Sequence, residues 1–319
     1  MTSPPLRTAV IGAGYLGRFH AQKYATLPGS RLVAIVDPDA ATRERVGQEL
    51  GVPALADHRA LLGEVDAVSI VTPTPLHHPL TRDFLAAGAH VLVEKPITST
   101  LEEARDLVAL ASARGRVLQV GHLERFNPAI VAIEGLLEKP RFIESNRLAP
   151  FKPRGTDVSV VLDLMIHDID LVQNIVRAPV ASIDAVGAPV FTDEIDIANA
   201  RLRFADGCVA DVTASRISMK TERKLRIFQA DTYLSVDLQQ KVLTQVRKGA
   251  AAPAGEMPQV AIDERSFDQG DALRDEIASF LEAIVTGRRP VVSGEDGLRA
   301  LETAIRIGEL LGRPAPATG

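Results

Sequence analysis

The sequence predicts two α/β domains: an amino-terminal doubly wound parallel sheet, and a second domain built on an open, mostly antiparallel sheet. Three observations lead there. From Arg7 to about Val120, short β-branched runs alternate with longer Ala/Leu-rich stretches, the rhythm of parallel strands joined by crossover helices. A Gly-x-Gly-x-x-Gly spacing stands directly after the first of those runs, the context in which it opens a nucleotide-binding turn. Beyond Val176 the runs become short, alternating and punctuated by turn residues, as hairpins of an antiparallel sheet read.

Taken in order, RTAVIG, RLVAIVD, AVSIVT, HVLVEK and RVLQVG are the strands of the first domain. Their near-continuous hydrophobicity suits strands covered on both faces. The helices between them run from Leu16 to Leu27, Ala40 to Leu50, Pro79 to Ala87 and Leu101 to Arg114. The last has a start signal in Thr98, Ser99 and Thr100, with Glu102 and Glu103 favourable in its first turn. The boundary falls after Gly121, giving domains of residues 1–121 and 122–319. The second begins with a helix, PAIVAIEGLLEK, a strand near Arg141 to Arg147 and a helix around Asp163 to Val176. SIDAVGAP, DIANARLRF, CVADVTASRI, KLRIFQA, TYLSVDL and KVLTQVRK then read as strands, with Ala205-Asp206-Gly207 a hairpin turn. Gly249 to Pro258 reads as a loop, and two helices close the chain, Ala272 to Thr286 and Gly294 to Leu311, which are expected to pack back on the first domain.

Composition narrows the function. The 319 residues carry 36 Lys+Arg against 41 Asp+Glu, a formal charge of −5, which argues against nucleic acid as the main partner. Hydrophobic residues at 46% and charged residues at 24% are those of an ordinary globular protein. Aromatics are 4% and tryptophan is absent, which disfavours stacking platforms. The single cysteine, Cys208, forms no internal disulfide and no cysteine cluster offers a zinc site, so a reducing compartment is expected. The start, MTSPPLRTAV, lacks the pattern of a signal peptide, and no apolar run approaches a membrane span. The expectation is a cytoplasmic protein acting on a small molecule, without metal.

Gly12-Ala13-Gly14-Tyr15-Leu16-Gly17 follows the strand RTAVI and opens a helix. Gly12 permits the tight turn, Gly14 leaves room for a pyrophosphate, and Gly17 lets helix pack on strand, while the helix N-terminus offers N–H groups to phosphate. A glycine-rich turn without a ligand is the plainer alternative. Asp37 ends the second strand, where a carboxylate accepts hydrogen bonds from an adenosine ribose about 20 residues past the glycines; its alternative is a turn residue before Pro38. A carboxylate there repels a 2′-phosphate, which favours NAD over NADP, unless Arg43 folds back over the site. Thr72-Pro73-Thr74-Pro75-Leu76-His77-His78 ends the fourth strand with turn formers, in the ligand crevice of such a sheet. Adjacent His77 and His78 diverge and lack a third ligand, so loop capping suits them better than a metal.

Glu94-Lys95-Pro96 follows HVLV at the same carboxyl edge. A lysine on an edge is usually solvated; here a proline fixes it beside the cofactor crevice and permits a cis bond. In the second domain, Asp163 and His167 are four apart, one helical face, with Asp170 a turn further on. A histidine oriented by a carboxylate takes the proton from an alcohol while nicotinamide accepts hydride. On spacing alone, an amphipathic helix with solvated acids explains the segment better.

Together, the glycine turn, Glu94-Lys95-Pro96, and Asp163 with His167 resemble the Gfo/Idh/MocA oxidoreductases over nearly the whole chain. The resemblance implies that Lys95 hydrogen-bonds the reacting hydroxyl or helps move its proton, that His167 is the general base or acid, and that Asp163 orients the centre. It also implies a second α/β domain whose open sheet packs in a homodimer or homotetramer. Many members carry a glycine pair before the aspartate and a glycine two residues after it; here stand Val158-Ser159-Val160 and Met165, a change expected in the substrate-pocket wall. Gly121-His122-Leu123-Glu124-Arg125-Phe126-Asn127-Pro128, Arg147-Leu148-Ala149-Pro150-Phe151 and Arg154-Gly155-Thr156-Asp157-Val158 look closest to the UDP-N-acetylglucosamine 3-dehydrogenase branch. That branch oxidises a sugar 3-hydroxyl so that an aminotransferase can install an amine for lipid A or other surface glycans.

Arg125, Arg147, Lys152 and Arg154 flank the expected site, and a diphosphate needs cationic donors; Lys152 and Arg154 fit a solvated loop equally well. Asn127 reads either as a sugar contact or as a helix cap. The expected activity is NAD-dependent oxidation of a sugar secondary alcohol. The rivals are dehydrogenases of the corresponding uronic acid, of aldoses or inositol, a biliverdin-type reductase, and a non-catalytic nucleotide-binding regulator.

Overall fold

The computed structural model describes residues 4–153, 158–249, 259–268 and 270–312. It divides into two units, Met1–Phe126 with Asp271–Arg299, and Asn127–Gly270 with Ala300–Gly319.

The first unit is a six-stranded parallel sheet in the order β3-β2-β1-β4-β5-β6. Its strands are β1 (Leu6–Ile11), β2 (Ser30–Val36), β3 (Ala54–Leu55), β4 (Ala67–Ile70), β5 (His90–Glu94) and β6 (Leu118–Gly121). The order reverses between β1 and β4, which opens a crevice at the carboxyl ends of those strands. The crossovers are α1 (Tyr15–Thr26), α2 (Ala40–Leu50), α3 (His77–Ala86) and α4 (Leu101–Arg114). Thr100 and Glu103 exchange hydrogen bonds at the start of α4, a capping box that closes two otherwise orphaned donors. The core on one side of this sheet joins Val10, Tyr24, Ile35 and Leu92 to Ile277, Phe280 and Leu281 of α7 (Ala272–Thr286).

The second unit is an eight-stranded sheet, β14-β13-β12-β11-β7-β10-β9-β8. It is antiparallel except for β7 (Phe142–Leu148) beside β10 (Val209–Ser215). The others are β8 (Val180–Ala188), β9 (Ile197–Phe204), β11 (Glu222–Phe228), β12 (Thr232–Asp237), β13 (Val242–Lys248) and β14 (Val260–Ser266). β10 shows the strand alternation that one-sided burial demands: Ala210, Val212 and Ala214 are buried, with Val209, Asp211 and Thr213 between them less so. Onto the buried face pack α5 (Pro128–Ile133), α6 (Ile166–Val176) and the Ala300, Ala304 and Ile307 face of α8 (Gly294–Leu311). Gly207, at φ +90°, makes the expected hairpin between β9 and β10.

Three elements differ from expectation. The helix from Pro128 ends at Ile133 and passes into a tighter turn over Glu134–Leu136, because Glu134-Gly135 interrupts its apolar face. The two-residue β3 is too short to carry a hydrophobic pattern. β14 is an edge strand whose side chains are nearly all exposed; its apolar residues, Val260, Ala261 and Ile262, stand together at its start and make no buried, alternating face. Among the described residues, no helix is long and apolar enough to cross a membrane.

Candidate active site

The amino-terminal turn is built as its glycines require. Gly12 has φ +94°, and a Cβ there would come 2.3 Å from the Val71 carbonyl oxygen; one on Gly17 would come 1.8 Å from that of Gly12. Neither position tolerates a side chain. Gly14 is different, for a Cβ there meets nothing within 4 Å: packing within the chain does not require a glycine at this position. Tyr15 (76% exposed) and Leu16 (37%) lie open beside it. Asp37 accepts the Ala13 N–H at 2.8 Å on one oxygen and the Asp39 N–H at 2.9 Å on the other, so it is oriented yet keeps lone pairs for a diol. Arg43 donates to the Pro38 carbonyl at 3.0 Å, so its guanidinium is engaged by the backbone of the turn and the preference for NAD rests on the Asp37 carboxylate.

At the end of β4, the buried Thr72 hydroxyl has no hydrogen-bond partner. His77, 1% exposed, sets Nε2 2.8 Å from the Thr72 carbonyl and Nδ1 2.9 Å from the Pro96 carbonyl, so it ties the Thr72-Pro73 loop to the Lys95-Pro96 loop. Burial holds its imidazole below the usual value, against those two carbonyls. His78 turns away to Asp106 at 2.8 Å; the two rings diverge. The Lys95–Pro96 bond is cis. An open glycine, an oriented carboxylate and an unpartnered hydroxyl along one sheet edge are the features that a dinucleotide site needs.

In the second unit, Asp163 lies in a π-helical turn, Val161–Met165, that runs into α6 carrying His167. Such turns recur at functional sites, and no propensity in the sequence announces this one. Ser159 starts it, accepting from the N–H groups of Leu162 and Asp163 at 3.1 Å each. Asp163 and His167 are part-buried. The acids beyond them are not solvated: Asp168 and Asp170 are each 1% exposed. Val160 and Met165, expected in the pocket wall, are buried in the hydrophobic core of this unit; the glycine positions they replace are core positions here.

Several expected substrate contacts have other partners. Arg147, 3% exposed, donates to Asp168 at 2.5 Å, where Ser145 also donates at 2.7 Å, so its guanidinium neutralises a buried carboxylate. Asn127 caps α5 through the Ala129 N–H at 3.1 Å and donates to the Leu238 carbonyl at 2.9 Å, the capping alternative. Arg125 is 6% exposed in the first unit, and its charge adds to the Ser293 hydrogen bonds that, against burial, hold Asp296 below its ordinary value. Lys152 is exposed, and Arg154 lies outside the described residues. Sequence reasoning missed Arg216, which is 5% exposed, donates to the Val158 carbonyl and lies 3.5 Å from Asp196. The pair braces the backbone just ahead of the π turn; an arginine after a strand gave no signal of it.

Residues 6–122 match the family model described as an oxidoreductase family with an NAD-binding Rossmann fold, and residues 130–233 match the GFO/IDH/MocA C-terminal domain. The chain is also 42% identical, over 95% of its length and 96% of the relative's, to the UDP-N-acetylglucosamine 3-dehydrogenase of Acidithiobacillus ferrooxidans. The protein belongs to the Gfo/Idh/MocA family. Within the family, the scyllo-inositol 2-dehydrogenase of Bacillus subtilis is 27% identical over 94% of this chain and 92% of that one. The solved structure of the Acidithiobacillus ferrooxidans enzyme GnnA superposes with a TM-score of 0.90 at 40% identity, covering 97% of this chain and 98% of the other. A levoglucosan dehydrogenase in complex with NADH and levoglucosan shares the family fold at 19% identity, with a TM-score of 0.85 over 96% of this chain and 97% of the other.

Proposed function

We propose that the protein is an NAD-dependent dehydrogenase that oxidises the 3-hydroxyl of UDP-N-acetylglucosamine to the 3-keto sugar. The observation that carries this is the 42% identity over 95% of the chain with a UDP-N-acetylglucosamine 3-dehydrogenase. Lys95, Asp163 and His167 supply an amine, a carboxylate and an imidazole of the kinds the reaction needs.

Bound NAD supplies the electron-pair acceptor for the carbon-bound hydrogen. His167 takes the hydroxyl proton onto its imidazole as the carbonyl forms, and Lys95 donates a hydrogen bond to the same oxygen. Asp163 accepts from the reacting group or from His167 and fixes its direction. His77, packed between the Thr72 and Pro96 carbonyls with its one N–H given to one of them, keeps the Lys95 loop in register. Lys152 and Arg154 are the cations assigned to the diphosphate; Arg125, Arg147 and Asn127 shape the surroundings through their own partners. The 3-keto product suits a downstream aminotransferase, in lipid A or another surface glycan, in the cytoplasm, with the enzyme a homodimer or homotetramer.

The test is the appearance of reduced-nicotinamide absorbance when the purified protein meets NAD and UDP-N-acetylglucosamine, with glutamate and a compatible aminotransferase to draw off the product. Parallel tubes hold the uronic acid, free sugars and inositol. Signal with the UDP-amino-sugar alone establishes the reaction; signal with inositol alone replaces it with that of the inositol relatives. NAD binding with silence in every tube favours a nucleotide-binding regulator.

A further inference from the structure

Five elements of the first unit bring polar groups together away from solvent. His20 and Tyr24 of α1, Ser69 of β4, Gln119 of β6 and Glu276 of α7 are all 0% exposed, and the Glu94 side chain at the end of β5 is 14% exposed. Tyr24 Oη lies 2.9 Å from Ser69 Oγ, Ser69 Oγ 3.1 Å from His20 Nδ1, and His20 Nε2 3.2 Å from Glu94 Oε1. The other Glu94 oxygen accepts the Lys95 backbone N–H at 3.3 Å. One assignment of protons satisfies the whole chain: Tyr24 donates to Ser69, Ser69 to Nδ1 of a neutral His20, and Nε2–H to an ionised Glu94. Every donor then points toward one negative charge. Gly121 leaves room for it, since a Cβ there would come 3.0 Å from the carboxylate.

Glu276 has no place in that chain. Gln119 binds its backbone carbonyl at 3.1 Å, and neither of its carboxyl oxygens has a hydrogen-bond partner. Burial, and then the charge of Glu94, push its carboxyl well above the ordinary range. Burial pushes Glu94 upward too, but the His20 hydrogen bond, with the charge of Lys95 and its backbone N–H, outweighs it and holds Glu94 below its ordinary value. Of the cations on the adjoining elements, Arg18 and Lys23 of α1 pair with Glu49 and Asp271 at 2.7 and 2.6 Å, and Arg125, in the turn packed beside α7, contributes to the charge of Asp296. Two carboxylates this far from water do not both ionise.

We propose that Glu94 and Glu276 form a one-charge pair, Glu94 carrying the charge and Glu276 the proton, and that this division makes Glu94 the positioning residue of Lys95. The positioning half rests on the function proposed above; the charge division does not.

The pair is tested first without substrate. The infrared spectrum of the holoprotein at pH 7 should contain the C=O band of a protonated carboxylic acid that disappears in Glu276→Gln and persists in Glu94→Gln; the reverse pattern, or no band, overturns the division. A proton held by Glu276 in the folded state and lost in the unfolded state makes stability fall as pH rises above the ordinary glutamate range. Glu276→Gln should therefore raise the melting temperature by a few degrees at pH 8 and little at pH 5, and an equal change at both overturns it. For the positioning role, Glu94→Gln should lower kcat by roughly tenfold or more with KM for NAD nearly unchanged, as displacement of a reacting group does. Gly121→Ala, which pushes on the carboxylate without removing it, should act in the same direction. Unchanged kcat in both, with the infrared result as expected, removes the positioning role alone; absence of turnover in the parent protein sinks the proposed function and leaves the infrared and melting results to decide the pair.

Discussion

Asp37 holds the Ala13 N–H at 2.8 Å, so the carboxylate at the end of β2 is fastened to the middle of the glycine turn. The group proposed to read the ribose therefore also fixes the glycine turn. Asp37→Ala should weaken NAD binding by about tenfold or more, the scale of a lost charge-assisted hydrogen bond. It should also relax discrimination against NADP. Titrating both cofactors by fluorescence checks this; an equal preference ratio before and after the change shows that Asp37 does not read the ribose.

Lys95→Ala and His167→Ala should each cut turnover by at least about a hundredfold, the value of acid–base assistance, with NAD binding nearly intact. Steady-state kinetics beside direct NAD titration separates the two effects. Full turnover in both variants would sink the catalytic assignment.

Gly14→Ala and Gly17→Ala should part company. The methyl on Gly14 meets open space, while that on Gly17 would lie 1.8 Å from the Gly12 carbonyl oxygen. Gly14→Ala is expected to fold with an unchanged melting temperature and bind NAD several-fold more weakly, on the scale of about 1 kcal/mol. Gly17→Ala is expected to lose cooperative folding. Circular dichroism melts beside NAD titration distinguish these outcomes.

Arg147→Met should destabilise the protein by roughly 3–5 kcal/mol, the cost of leaving a buried carboxylate unpaired, because Asp168 would lose its guanidinium. Adding Asp168→Leu should recover much of that loss. Chemical denaturation of the single and double variants measures it; a single variant as stable as the parent would show the pair contributes little.

Asp196 is 0% exposed and accepts the N–H groups of Val190, Phe191 and Thr192 at 2.8, 2.6 and 2.9 Å. Burial opposes its charge, but these hydrogen bonds together with the Thr192 hydroxyl hold it down at about 2. Its folded pKa is depressed, so its contribution to stability is present above the ordinary aspartate range and is lost as pH falls toward about 2. Asp196→Asn should flatten the acid limb of the stability profile, measured as melting temperature between pH 5 and 2.5; an unchanged slope would contradict the assignment.

The first sheet was legible because it is built from strong local signals. Residues Ala40–Leu50 and Leu101–Arg114 form helices between the expected end points, since Asp39, Gly51, Thr100 and Gly115 cap them with side-chain and left-handed geometry that residue type announces. Asp37 was legible for the same reason: its place is set by strand length and the glycine turn. Arg147, Asn127 and Met165 were not, because a cation, an amide or an apolar side chain near a site reads alike whether it faces a ligand or a neighbour. Only tertiary packing gives Arg147 to Asp168 and buries Met165. The π turn at Asp163 is invisible for a related reason, as one extra residue per turn leaves no period in so short a segment.

The exposed strand β14 bears on a property of the chain unrelated to the proposed chemistry. The terminal strand of an open sheet presents unpaired N–H and C=O groups on which another chain can add, the route to fibrous growth. Here that strand carries Asp263, Glu264 and Arg265 in succession, and Arg265 folds onto Asp263 at 2.7 Å, so a would-be neighbour must strip water from charges to dock. Three charged residues in succession, on a strand too exposed to need them for folding, set a desolvation cost on lengthening the sheet at this edge.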